Sequence, residues 1–259
     1  MGKTICFVNN KGGCGKTTTV CAVGQAWAEL GKKILFVDLD SQSNLTCIIT
    51  DTDPSTKEWE QTLEDAFVGG PDYGLPIEHV SENIDIIPSD LDLSNFERET
   101  ARYTGREFLL ADLLETVKEN YDYILIDCPP ALSLITYSAV VASDYMVRVT
   151  NAESLSYRGM KMVANLYNEV AGNKRLNPHL QIKGVIVTRF ENNNLSNFYL
   201  EKLQNELGSM LILPVVRKST KIAQSASFQQ SIFKIDPQGR ATQEYIKVAH
   251  ELLQRVEIQ

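Results

Sequence analysis

The stretch Val8–Thr19, VNNKGGCGKTTT, constrains this chain more than any other part of it. Lys3–Val8 before it reads as a strand. After it Val20, Val23, Trp27 and Leu30 recur with the period of a helix, which Gly31 ends. A glycine-rich turn between a strand and a helix lets the backbone N–H groups from Gly13 to Thr18 converge on phosphate oxygens at the positive end of the helix. In that arrangement Gly12, Gly13, Cys14, Gly15, Lys16, Thr17 and Thr18 surround the phosphates. Lys16 reaches the β- and γ-phosphates and the Thr17 hydroxyl coordinates Mg2+. The strict pattern G-x-x-x-x-G-K-[ST] is broken at its first position by Asn10, a residue that tolerates left-handed backbone angles. Lys11 is surplus to a loop already served by Lys16. It is either a solvated loop residue or a cation for a γ-phosphate held by a second subunit, acting in trans as an arginine finger does.

Other short apolar runs, ILFV at Ile34–Val37, YILI at Tyr123–Ile126 and GVIVT at Gly184–Thr188, are rich in β-branched residues and read as strands buried on both faces. Helical patterns lie between them. The alternation predicts an α/β fold, a mostly parallel twisted sheet with right-handed crossovers and helices on both faces. No linker or repeat divides residues 1–259, so a single domain is expected. The stretch from TDTDPSTKEW to GGPDYGLP predicts loops around a short helix, Gln61–Val68, and Tyr245, Ala249, Leu252 and Val256 mark one face of a C-terminal helix.

Two aspartates, Asp38 and Asp40, follow the ILFV strand at the edge where open parallel sheets bind ligands. Asp127 follows YILI, and Pro129 and Pro130 stop that strand, which gives a carboxylate on a rigid, dry support from which it can reach a metal's shell. His79, His179 and His250 follow no metal-ligand spacing. The five cysteines, Cys6, Cys14, Cys21, Cys47 and Cys128, show no C-x-x-C spacing and read as small buried thiols of a reducing compartment. There is no secretory signal or membrane-spanning run, so a cytoplasmic protein is expected.

Taken together, KGGCGKTTT resembles the deviant Walker A motif of the ParA/MinD superfamily of P-loop NTPases, whose signature lysine stands at Lys11. FVDLDSQSNLT is similar to the family's second motif, usually D-x-D-P-Q, with Ser41 in place of the proline, and YDYILIDCPP resembles its Walker B segment. LPVVRKSTKIAQSASFQQSI resembles the C-terminal nucleotide- and DNA-contacting region less closely. The resemblance implies an ATPase using ATP and Mg2+, with Lys11 catalytic across a homodimer formed in the ATP state. Asp40 would position the attacking water, and Thr17, Asp38 and Asp127 would serve the metal. Hydrolysis in such a site is slow and acts as a switch.

The output has two readings. A net charge of −8 disfavours nucleic acid, yet no acidic residue falls between Glu206 and Asp236, where Arg217, Lys218, Lys221 and Lys234 cluster. Dimerisation would double that patch, Arg189 could join it, and phosphate contacts of this kind need no sequence readout. By resemblance this is a ParA-type switch that binds DNA non-specifically, associates with the nucleoid and works with a ParB-type partner to segregate a plasmid or chromosome. The strand that carries the phosphate loop begins near Met1, as in the shorter partition ATPases, so sequence-specific DNA binding is not expected. The other reading is a MinD-like membrane switch. The terminal segment QEYIKVAHELLQRVEIQ is amphipathic but lacks the Lys/Arg enrichment wanted at anionic lipid, so no membrane partner is expected. A positioner of a protein cargo would share all these residues.

Overall fold

A computed structural model of the chain describes residues 2–52, 56 and 60–258. The strands are β1 (Lys3–Val8), β2 (Ile34–Asp38), β3 (Glu78–Ser81), β4 (Ile84–Ile87), β5 (Tyr123–Asp127), β6 (Tyr145–Asn151), β7 (Gln181–Thr188) and β8 (Leu211–Ile212). The α-helices are α1 (Lys16–Glu29), α2 (Asn44–Thr50), α3 (Leu63–Gly69), α4 (Phe96–Glu99), α5 (Leu109–Glu115), α6 (Leu134–Val141), α7 (Ser154–Ala171), α8 (Asn194–Leu207), α9 (Thr220–Ser227), α10 (Ile232–Ile235) and α11 (Arg240–Glu257). The strands form one sheet in the order β3-β4-β2-β5-β1-β6-β7-β8. Every pairing is parallel except β3 with β4.

The pleat explains why these strands are apolar along their whole length. Ile5 and Phe7 of β1, Ile34 and Phe36 of β2, and Leu125 of β5 pack with α1 and α11 on one face. Their neighbours Cys6, Val8, Leu35, Val37, Ile124 and Ile126 pack with α3, α5, α6 and α7 on the other. Continuing the alternation by one step puts Asp38 and Asp127 on the α1 face, and the two are directly paired in the register of β2 with β5. The parallel order therefore brings the ends of β1, β2, β5 and β7 to one edge of the sheet.

Helix α1 ends as predicted, at Leu30 with Gly31 at φ 80° behind it. The helix expected at Gln61–Val68 is Leu63–Gly69. Its start moves because Thr62 and Asp65 form a reciprocal capping box, Thr62 accepting from the Asp65 N–H and Asp65 from the Thr62 N–H. Residues 53–55 and 57–59 of the predicted loop lie outside the described residues. The C-terminal pattern is α11, whose Tyr245, Val248, Ala249, Leu252 and Val256 are buried, and the fully buried Trp27 of α1 donates its indole N–H to the Ala249 carbonyl at 2.8 Å.

Candidate nucleotide site

The phosphate loop is held from outside by the end of β7. The Thr188 hydroxyl donates to the Cys14 carbonyl at 2.5 Å, and the Arg189 guanidinium donates to the Gly13 carbonyl at 2.8 Å. A trans peptide sends its N–H opposite to its C=O, so tying down these carbonyls turns the next N–H groups toward the other side of the loop. The path requires Gly13 at φ 71° and Gly15 at φ 84°, backbone angles that L side chains rarely adopt. Asn10, which could tolerate a left-handed angle, does not have a positive φ; its side-chain amide N–H lies 2.8 Å from the Met162 sulfur.

The loop walls a cavity of about 360 Å³. The cavity is lined by Gly12, Gly13, Gly15, Lys16, Thr17 and Thr18 of the loop and helix start, by Asp40 and Pro130, and by Ile222, Ala223 and Ala226 of α9 and Tyr245 of α11. The lining thus combines a phosphate loop with apolar side chains from α9, a combination suited to phosphates and a flat base. The α9 lining was not assigned residue by residue from sequence, because no local motif marks a surface that only the fold brings to the loop.

Asp127 is buried and neither of its carboxylate oxygens has a hydrogen bond. Burial, and then the neighbouring Asp38, push its carboxyl up to about 8. The Thr17 hydroxyl and then the Lys16 charge oppose the shift. An unpartnered buried carboxyl and a threonine hydroxyl at a helix start are oxygen donors that fit a hard divalent cation, with buried Lys16 left to the phosphates. Asp38 is equally buried, and burial pushes it up to about 6, but its oxygens are engaged within the protein. Asp40 reaches the cavity, its carboxylate also accepting from the Gln42 N–H at 3.1 Å.

Lys11 leaves the phosphate side of its own loop: its ammonium pairs with Glu153, just ahead of α7, at 2.5 Å. The four cations expected to contact DNA are divided. Arg189 and Lys218 line the nucleotide cavity, and Lys218 pairs with Glu191 at 2.5 Å. Arg217 is bound twice by Glu244, through its guanidinium at 2.5 Å and its backbone N–H at 2.8 Å. Lys221 is exposed at the start of α9. The interval free of acids in sequence is therefore not free of them in space, because Glu191, Glu244 and, at Lys234, Asp51 arrive from other elements. All five cysteines are buried free thiols, and burial pushes Cys6 and Cys21 up to about 12.

A glycine cradle at a helix start, a buried lysine and a carboxylate on the adjoining strand define a P-loop nucleotide site on a parallel sheet. A family model described as an AAA domain matches residues 2–182. The sporulation initiation inhibitor protein Soj of Bacillus subtilis is 34% identical over 254 residues, covering 97% of this chain and 98% of Soj. The chromosome partitioning protein ParA of Caulobacter vibrioides is 30% identical over 257 residues, covering 98% of this chain and 94% of that protein. Among solved structures, cobyrinic acid a,c-diamide synthase from Mycobacterium smegmatis with bound ADP and magnesium shares the fold, with a TM-score of 0.82 at 24% identity and coverage of 100% and 96%. The chain belongs to this AAA-domain family as a ParA/MinD-type ATPase, with relatives of the ParA/Soj kind along its full length.

Proposed function

We propose that this protein is a switch that binds ATP with Mg2+, dimerises around it, holds DNA non-specifically in that state, and lets go after slow hydrolysis. The observation that carries the nucleotide part is the convergence on one cavity of the phosphate loop, buried Lys16 and Asp40, with unpartnered Asp127 at the end of the strand beside the one that leads into the loop. Mg2+ would neutralise the phosphate charge, held by the Thr17 hydroxyl and served by Asp127. The loop N–H groups and Lys16 bind and orient the β- and γ-phosphates, Asp40 in the cavity lining orients water, and Lys11 is delivered to the partner subunit's nucleotide. Cobyrinic acid a,c-diamide synthase, which has this fold, was solved with ADP and magnesium.

For the output, the relative named as a chromosome partitioning protein supports a role in positioning DNA with a ParB-type partner, in the cytoplasm and on the nucleoid. Lys221, with Arg217 and Lys218 behind it, is the cationic face available for duplex phosphates. The membrane reading is disfavoured, since the apolar face of α11 is buried against α1 and no helix among the described residues is long and apolar enough to cross a membrane.

The test is binding of the purified protein to an arbitrary DNA duplex with ATP, ADP or no nucleotide, using Asp40→Ala to hold the ATP state, beside a liposome control. DNA binding that requires ATP is expected. Binding to liposomes alone would make this a membrane switch, and binding to neither would make the cargo a protein.

A further inference from the structure

Asp38 and Asp127 are neighbours in register and equally buried, yet the protein treats them oppositely. Asp127 has no hydrogen-bond partner. Asp38 has three: its Oδ1 accepts from the Asp40 N–H at 3.1 Å, and its Oδ2 accepts from the Thr46 N–H at 2.9 Å and the Thr46 hydroxyl at 2.8 Å. The Thr46 hydroxyl in turn accepts from the Ser89 N–H at 3.0 Å. A backbone N–H can only donate, so the single hydroxyl proton is committed to Asp38 and the direction of the chain is fixed. Thr46 lies in the first turn of α2, whose own preceding residue, Ser43, sits at φ 54° and makes no side-chain cap. Asp38 supplies that cap from the neighbouring strand instead.

We propose that Thr46 is a positioning residue for ATP hydrolysis, an inference that rests on the ATPase function above. By fixing the Asp38 carboxylate it closes residues 38–46 into a loop of set shape, and that loop carries Asp40 into the lining of the nucleotide cavity. Asp38 thus works on the loop rather than on the cation, and leaves Asp127 and Thr17 as the groups that serve Mg2+. This also accounts for Ser41. A proline ring at this position would restrict φ, and without it the ties from Asp38 to Asp40 and Thr46 provide the restraint.

Thr46→Val keeps the shape and removes the hydroxyl, whereas Thr46→Ser keeps the hydroxyl. The measurements are single-turnover hydrolysis of ATP with excess protein, ATP affinity with and without Mg2+, and amide hydrogen exchange of the 38–50 segment in the nucleotide-free protein. Thr46→Val is expected to slow hydrolysis about tenfold or more, the order of effect of misplacing a catalytic group by a fraction of its reach. It should leave ATP affinity and its Mg2+ dependence unchanged, and speed exchange of the segment. Thr46→Ser should behave as wild type, and adding Ser41→Pro to Thr46→Val should recover part of the rate. If Thr46→Val does not fold, Asp38→Ala removes both acceptor oxygens and with them the same ties, and should show the same split between hydrolysis and Mg2+ dependence.

A wild-type rate in a folded Thr46→Val overturns the proposal. So does loss of Mg2+ dependence in either variant, which would return Asp38 to the cation, or a Thr46→Ser as slow as Thr46→Val, which would make the effect one of packing. A wild type that binds ATP but never hydrolyses it would instead refute the ATPase function on which the inference rests.

Discussion

Lys11 is the residue proposed to act across a dimer. Its pairing with Glu153 leaves both side chains partly in solvent, 28% and 52% exposed, and ion pairs of that kind contribute roughly 0–1 kcal/mol. In the proposed dimer a γ-phosphate in the partner's closed site would offer more charge in a drier place, and this ion pair would be exchanged for it. Lys11→Ala is expected to bind ATP as a monomer with near-normal affinity and to fail to dimerise, which light scattering after size exclusion will show. Asp127 has the opposite character, a buried carboxyl whose ionisation the nucleotide-free fold does not compensate, so that charging it as pH rises costs stability. Asp127→Asn should therefore melt at a higher temperature than wild type without ligand, and lose the extra stabilisation that Mg2+ adds to ATP. A lower melting temperature without ligand would mean that the carboxylate supports the fold. The phosphate loop and Asp127 were legible in the sequence because their neighbours along the chain define them. Glu153 was not, since it pairs with a lysine 142 residues away, and neither was the engagement of Asp38, which depends on where α2 begins.

At the scale of elements, the strands that could be read were Lys3–Val8, ILFV, YILI and GVIVT, whose short apolar runs fit neither a solvated loop nor one face of a surface helix. Strand β6, buried along its whole length, escaped because Arg148, Thr150 and Asn151 interrupt its apolar run. The antiparallel pair β3–β4 escaped, because four residues with an alternating half-buried pattern, EHVS, look like any loop. Helix α2 escaped as well, its cap coming from a strand rather than from an adjacent residue. The helix pair α1–α11 was legible by period, and it carries much of the core on its face of the sheet. Trp27 joins them through both ring burial and its N–H bond to Ala249. Trp27→Ala is expected to destabilise the protein by about 3–5 kcal/mol in urea unfolding, with a cavity left between the helices. A cost within experimental error would mean that α11 is not anchored there, and would reopen the membrane reading.

For the whole molecule, the distribution of charge decides how the DNA test must be designed. Arg217→Glu would set a new carboxylate against Glu244, whose side chain is only 8% exposed, and Lys218→Glu would alter the nucleotide cavity, so either change confuses folding or ATP binding with DNA binding. Lys221→Glu avoids both. It is expected to weaken binding to any duplex while ATP turnover persists, and to reduce the salt slope of binding by about one to two ions per subunit. An unchanged slope would place the DNA face elsewhere. The two margins of the sheet bear on how copies of this chain meet. One margin, β8, is two residues long, and the other, β3, is four residues with alternate side chains exposed. Neither gives an incoming strand a long flat ladder to extend, so association by strand addition, the route by which α/β proteins aggregate, is poorly supported. In the proposed dimer, self-recognition would therefore fall to the loops at the strand ends, where a bound nucleotide can decide whether it happens.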